Sequence, residues 1–181
     1  MNKLIKKEIK YSGRRFKVIQ KLYERQDGLE IVRDCVEPGD AVIIIAVNEN
    51  EEIIFIEQYR ETIEKVALEL PAGMVDFGED PKDAAKRELE EETGIKATNI
   101  EYLTSCFTSA GYTSEKIHVY LARDFEYGIQ HLDETEEILA IRKIHIEDCM
   151  KMILEDKIEH ASVYIAVQTY YYKYYNGGRN G

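Results

Sequence analysis

The stretch Gly73–Ile95, GMVDFGEDPKDAAKRELEEETGI, decides how the rest of the chain is read. Its middle opens as a helix should. Asp80 suits the capping position, Pro81 the first helical position, and Asp83 the first turn beside the positive end of the helix dipole. Gly94 supplies a residue that can end the helix. The second half is less comfortable, because Glu88, Glu90, Glu91 and Glu92 crowd the end where the dipole disfavours negative charge.

At about 100° per residue, Lys82, Asp83, Lys86 and Glu90 share one solvated side. Glu88, Glu91 and Glu92 fall within an arc of about 100° on the other, together with Ala84 and Ala85. Small residues let that side lie close to a sheet. Like charges one turn apart repel, and they become favourable when a hard divalent cation sits among them. The alternative is an exposed acidic helix in which Arg87 pairs with Glu91.

Outward from this helix, the composition is that of an ordinary globular protein: 181 residues, 44% hydrophobic and 33% charged. With 24 basic against 35 acidic residues the formal charge is −11, which argues against a nucleic-acid partner, since phosphate backbones need a basic surface. Cys35, Cys106 and Cys149 have no metal-knuckle spacing and are expected as small hydrophobes in a reducing compartment. No stretch approaches the roughly 18 apolar residues of a membrane span, and the basic start lacks an apolar leader run. The expectation is a cytoplasmic protein with no membrane partner.

Residues 1–39 read as short strands with turns at YSGRR and RQDGLE, a small subdomain too modest to stand alone. Residues 40–181 read as the main domain. There DAVIIIAV (40–47) suits a strand buried on both faces, IIFIEQYR (53–60) its hairpin partner, and VALELPAG (66–73) one further short strand. Strands are expected again at IEYLTSCF, KIHVYLA and EILAIRKI, and helices at 146–155 and within HASVYIAVQTYYYKYY. Mixed strands and a few helices give an α/β sandwich.

From Gly73 the spacing is G-x5-E-x7-R-E-U-x-E-E-x-G-U, where U is a bulky aliphatic, and all nine specified positions are filled. This resembles the Nudix hydrolase signature. The likeness extends to the ADP-ribose pyrophosphatase branch through EQYR (57–60), ELPAG (69–73), TSAGYTSEKIHVYLA (108–122) and LDETEE (132–137). It implies an α/β/α sandwich with a mixed sheet, the signature forming a loop–helix–loop, beside a small N-terminal β subdomain. It also implies Mg²⁺ (or Mn²⁺) and a nucleoside diphosphate derivative as substrate, ADP-ribose first, giving AMP and ribose 5-phosphate.

Carried over residue by residue, Glu88, Glu91, Glu92 and the carbonyl of Ala72 would hold metal, while Arg87 would hold the carboxylates. Arg60 would meet the substrate's phosphates or end its strand in solvent. Arg33 would face the ligand or the surface, and Glu69 would contact substrate or accept a structural hydrogen bond. Glu134 would be the general base and Glu136 an auxiliary metal ligand, with Glu137 competing for the base. Glu115 would bind metal or substrate, or simply end a strand.

Members of the branch are usually homodimers whose N-terminal strands cross to the partner, which would let Phe16 or Tyr23 stack on the base. One departure bears on the substrate: Ser109-Ala110-Gly111 stands where the branch usually has Ser-Pro-Gly. That relaxes the turn at Gly111 and leaves another nucleotide sugar, or an oxidised nucleotide, as an alternative. A non-catalytic nucleotide sensor is the rival from another class. The four histidines show no ligand spacing and are expected to be incidental.

Overall fold

The computed structural model describes residues 2–132 and 137–177. The chain divides into two compact units, 1–40 with 106–117, and 41–105 with 118–181.

In the first unit β1 (Lys3–Ser12), β2 (Lys17–Glu24) and β3 (Glu30–Glu37) form an antiparallel meander in sequence order. Its second turn is set by Gly28, whose φ of +82° a side chain would disfavour, and Arg25 N–H closes it on Leu29 O at 2.9 Å. Residues 106–117 belong with this sheet. Val36 N–H donates to Tyr112 O at 2.8 Å and Ser114 N–H donates to Val36 O at 3.1 Å.

The second unit begins with β4 (Ala41–Ala46), β5 (Glu52–Arg60), β6 (Lys65–Glu69) and β7 (Ala72–Met74). Helix α1 (Pro81–Thr93) follows, then β8 (Ile95–Ala97), β9 (Ile100–Phe107), β10 (Lys116–Ala122), β11 (Phe125–Tyr127) and β12 (Ile138–His145). The chain closes with α2 (Ile146–Leu154), α3 (Ala161–Tyr170) and a π-helical turn, Tyr171–Tyr175. One sheet runs β7-β4-β10-β9, another β12-β5-β6, and β11 pairs with β8. Helix α1 packs on β4 and β7, and α3 also packs on β4. A mixed α/β fold is what the pattern predicted.

The core explains why β4 is apolar throughout. Val42, Ile44 and Ala46 meet Ala84, Ala85 and Leu89 of α1, together with Ile54, Ile95, Ile100, Tyr120 and Ala122. The two alanines admit the helix close to the sheet. Cys149 is fully buried, and desolvation pushes its thiol up to about 12, so it is inert filling.

Two expectations are corrected. Residues 53–60 are not the hairpin partner of 40–47: the runs are bridged at Val47–Ile53 and then enter different sheets. Both are apolar on both faces, and an interior place in its own sheet covers each. VALELPAG is likewise two strands, β6 and β7, parted at Leu70-Pro71 and assigned to the two sheets.

The caps of α1 are as read. The Asp80 side chain accepts from Lys82 N–H at 2.8 Å, Pro81 opens the helix, and Gly94 at φ +72° donates to Glu90 O at 2.8 Å. A Cβ on Gly94 would also lie 2.9 Å from Gly128 O and 3.0 Å from Gln130 N. Gly94→Ala should therefore destabilise by more than about 1 kcal/mol in a denaturant titration. Gly78→Ala, with φ +83° but open space, should cost less; equal losses would mean the packing on residues 128–130 is not felt.

Candidate active site

Arg87 sits at the middle of α1 and spends its donors on four neighbours. Nε and Nη2 each bond a Glu79 oxygen at 3.0 Å, and Nη2 also reaches Met74 O at 3.1 Å. Nη1 donates to Glu88 Oε1 at 2.7 Å and to Glu91 Oε2 at 3.1 Å. Those five bonds tie the helix to the loop before it and to the end of β7. The Glu79 bonds, ahead of those to Glu88, push the guanidinium's pKa above its ordinary value, and desolvation opposes them only in part. Arg87 in turn, with Asp76 N–H behind it, holds Glu79 below the usual carboxylate value. Glu79 thus locks the loop.

The structure brings Ala72, Arg87, Glu88, Glu91 and Glu92 together. Glu92, 1% exposed, accepts from Ala72 N–H at 2.9 Å. Glu88, 6% exposed, lies over Gly73, where a Cβ would fall 2.0 Å from its Cδ. Only glycine leaves that space. Glu90 turns outward to Lys96 at 3.0 Å. A carboxylate this buried needs compensation whenever it carries charge. The donors suit a hard divalent cation: carboxylate oxygens from one helix face, with Gly73 leaving room for that of Glu88. Arg87 gathers Glu88 and Glu91, and among the described residues no three His, Cys, Asp or Glu stand close enough to hold a metal ion in this conformation. Gly73→Ala should eject the Glu88 carboxylate and cost about 1–3 kcal/mol through the broken contact with Arg87. A crystal structure of the variant with Glu88 unmoved would refute this.

A second group forms on β5 and β6. Arg60 grips Glu69 with both donors, Nε–Oε1 at 2.8 Å and Nη2–Oε2 at 2.6 Å. Strand alternation places Ile54, Ile56, Gln58 and Arg60 on one face of β5, and Ile54 on that face packs with Ala84, Ala85 and Leu89 of α1. Gln58 is buried with Oε1 unpartnered among the described residues. His160 Nε2 stands 3.5 Å from Glu69 Oε1. Neither Gln58 nor His160 was singled out from sequence; no local signal marks a residue whose partner lies 91 positions away.

The end of α1 is closed from elsewhere. His131 N–H donates to Glu91 O at 3.0 Å, and Gln130 Nε2 donates to Glu92 O. Glu134 and Glu136 lie outside the described residues. Glu137 is exposed and precedes Ile138, which pairs with Gln58. Arg33 and Gly111 belong to the first unit. Arg33 is exposed on β3 and donates to Val32 O at 2.9 Å. Gly111 is exposed in a turn in which Ser109 O accepts from Tyr112 and Thr113. Phe16 packs against Tyr11, ring centres 6.0 Å apart. Tyr23 is half-buried.

A family model described as NUDIX domain matches residues 37–166. A methanol dehydrogenase activator of Bacillus methanolicus is 37% identical over 168 residues, spanning 92% of this chain and 90% of that protein. An ADP-ribose pyrophosphatase of Bacillus subtilis (strain 168) is 33% identical with the same spans. Another, from Mycobacterium tuberculosis, is 31% identical over 85% of this chain and 75% of its own length. In fold, the chain superposes on the crystal structure of an ADP compounds hydrolase with a TM-score of 0.87, covering 98% and 96% of the two chains at 24% identity. A complete signature helix, its Arg87-bound carboxylates and a family match over most of the chain converge: this chain belongs to the NUDIX family of hydrolases.

Proposed function

We propose that the chain hydrolyses the pyrophosphate of ADP-ribose, or of a related ADP-sugar, giving AMP and a sugar phosphate. The observation that carries this is the convergence of Glu88 over Gly73, Glu92 on Ala72 and Arg87 between Glu88 and Glu91. Relatives named as ADP-ribose pyrophosphatases favour ADP-ribose as the substrate.

Glu88, Glu91, Glu92 and the Ala72 carbonyl would hold Mg²⁺ or Mn²⁺. A bound ion of this kind would neutralise phosphate charge and lower the pKa of a water. Arg60 would orient the diphosphate, and Arg33, Glu69 and Gly111 are each assigned a substrate contact. Glu134 would accept the proton of the attacking water, whose oxygen joins one phosphorus as the bridging P–O bond breaks. Glu136 would assist at the metal. Both flanks of the acidic segment favour this assignment: His131 is bonded to the last turn of α1, and Ile138 is paired with Gln58 on the face that carries Arg60.

The tests separate binding from chemistry. Glu92→Gln should lower kcat by orders of magnitude with the fold kept, and near-normal turnover would remove Glu92 from the site. Glu134→Gln should slow hydrolysis about 10²–10⁴-fold while sparing metal binding; an unchanged rate would move the base to Glu136 or Glu137. In a panel of ADP-ribose, other ADP-sugars, GDP-mannose and nucleoside triphosphates, the highest kcat/KM should fall to an ADP-sugar.

We also assign residues 1–39 to a homodimer contact. Leu4, Ile5, Ile9 and Tyr11 of β1 and Val32 of β3 are exposed apolar residues on one small sheet. Sedimentation should give twice the chain mass, and Ile9→Glu should shift it towards the monomer. A second reading follows from the relative named as a methanol dehydrogenase activator: the chain would serve a partner dehydrogenase. Faster methanol oxidation by such a dehydrogenase on adding this chain would favour it.

A further inference from the structure

We propose that His160 is a positioning residue for Arg60, acting through Glu69. It rests on the assignment above in which Arg60 meets the substrate's diphosphate.

His160 precedes α3 with extended backbone, the position where a side chain normally caps the first turn, yet it makes no capping bond. His145, in the same position before α2, does accept from Glu147 N–H at 3.3 Å. His160 is turned instead towards Glu69 Oε1, the oxygen that already accepts from Arg60 Nε. A residue that abandons its local role has another demand on it.

Glu69 is 6% exposed, whereas the Arg60 side chain is 32% exposed and reaches solvent. An arginine at a strand end has several rotatable bonds, and a bidentate carboxylate removes most of that freedom. That works only while the carboxylate plane is itself held. Arg60 sits in register with Lys65 and Glu69 with Ile56, so the pair joins opposite ends of the β5–β6 ladder, and His160 approaches Glu69 from outside that sheet. Glu69 thus accepts both bonds from Arg60 on β5 and has the His160 imidazole, at the start of α3, 3.5 Å from Oε1, a contact that limits how far the carboxylate and its guanidinium can turn. Loss of the imidazole weakens diphosphate binding and leaves the chemical step alone.

The test compares His160→Leu, which keeps bulk without a donor, with His160→Gln, which keeps a donor at similar reach. Kd for ADP-ribose is read by calorimetry in metal-free buffer, where no turnover occurs, and KM and kcat with Mg²⁺. His160→Leu should raise Kd and KM about tenfold, the scale of lost outer-layer partners, with kcat within about twofold. His160→Gln should restore most of the affinity. Arg60→Ala should raise Kd further, and adding His160→Leu to it should change nothing more. If Arg60→Ala weakens binding but His160→Leu does not, or if their effects add, the positioning role is wrong and the Arg60 assignment stands. If Arg60→Ala leaves Kd unchanged, the diphosphate assignment fails and the proposal with it. A fall in kcat at constant KM for His160→Leu also overturns it.

Discussion

Everything at the candidate site depends on one guanidinium. Arg87 is the group that lets Glu88 and Glu91 stand one turn apart near the negative end of a helix dipole. Its five N–H bonds reach Glu79, Glu88, Glu91 and the Met74 carbonyl. In one stroke they neutralise part of the acidic face and fasten the loop to the helix. A lysine would give a point charge and no fork, so the loop and the carboxylates could not be held together.

Packing then decides where those carboxylates lie. Ala84, Ala85 and Leu89 draw α1 onto β4, and at that separation Glu88 falls over Gly73 and Glu92 on the Ala72 amide. Strand β7 is only three residues long, yet it supplies the glycine, the amide and the Met74 carbonyl. The far end of α1 is closed by residues 128–131, whose donors take the carbonyls of Glu91, Glu92 and their neighbour Gly94. His131 is thus bonded to the signature helix, and Ile138 is paired with β5.

Much of this was legible in the chain. Asp80, Pro81 and Gly94 bounded the helix because capping is local chemistry, confined to a few neighbouring residues. The split of the acidic face also followed from periodicity: Glu88 and Glu92 are buried, while Glu90 pairs with Lys96 outside. Strand positions came from apolar runs. What failed was pairing, for an apolar run states that a strand is buried but not which sheet buries it. So β4 and β5 were joined in a hairpin, and β8 and β11, at three residues each, went unseen. The histidines were set aside for want of spacing, yet His160 meets Glu69 across the fold.

The sequence by itself determined the helix and its ends, the acidic face, the family signature and the α/β class, because each rests on residues close together along the chain. Only the tertiary structure decided that Arg87 binds the Met74 carbonyl as well as glutamates, that Arg60 and Glu69 face one another, and that His160 joins them. These contacts depend on which strands share a sheet and how closely a helix approaches it. Distance in space, unlike spacing in sequence, is set by the whole core at once.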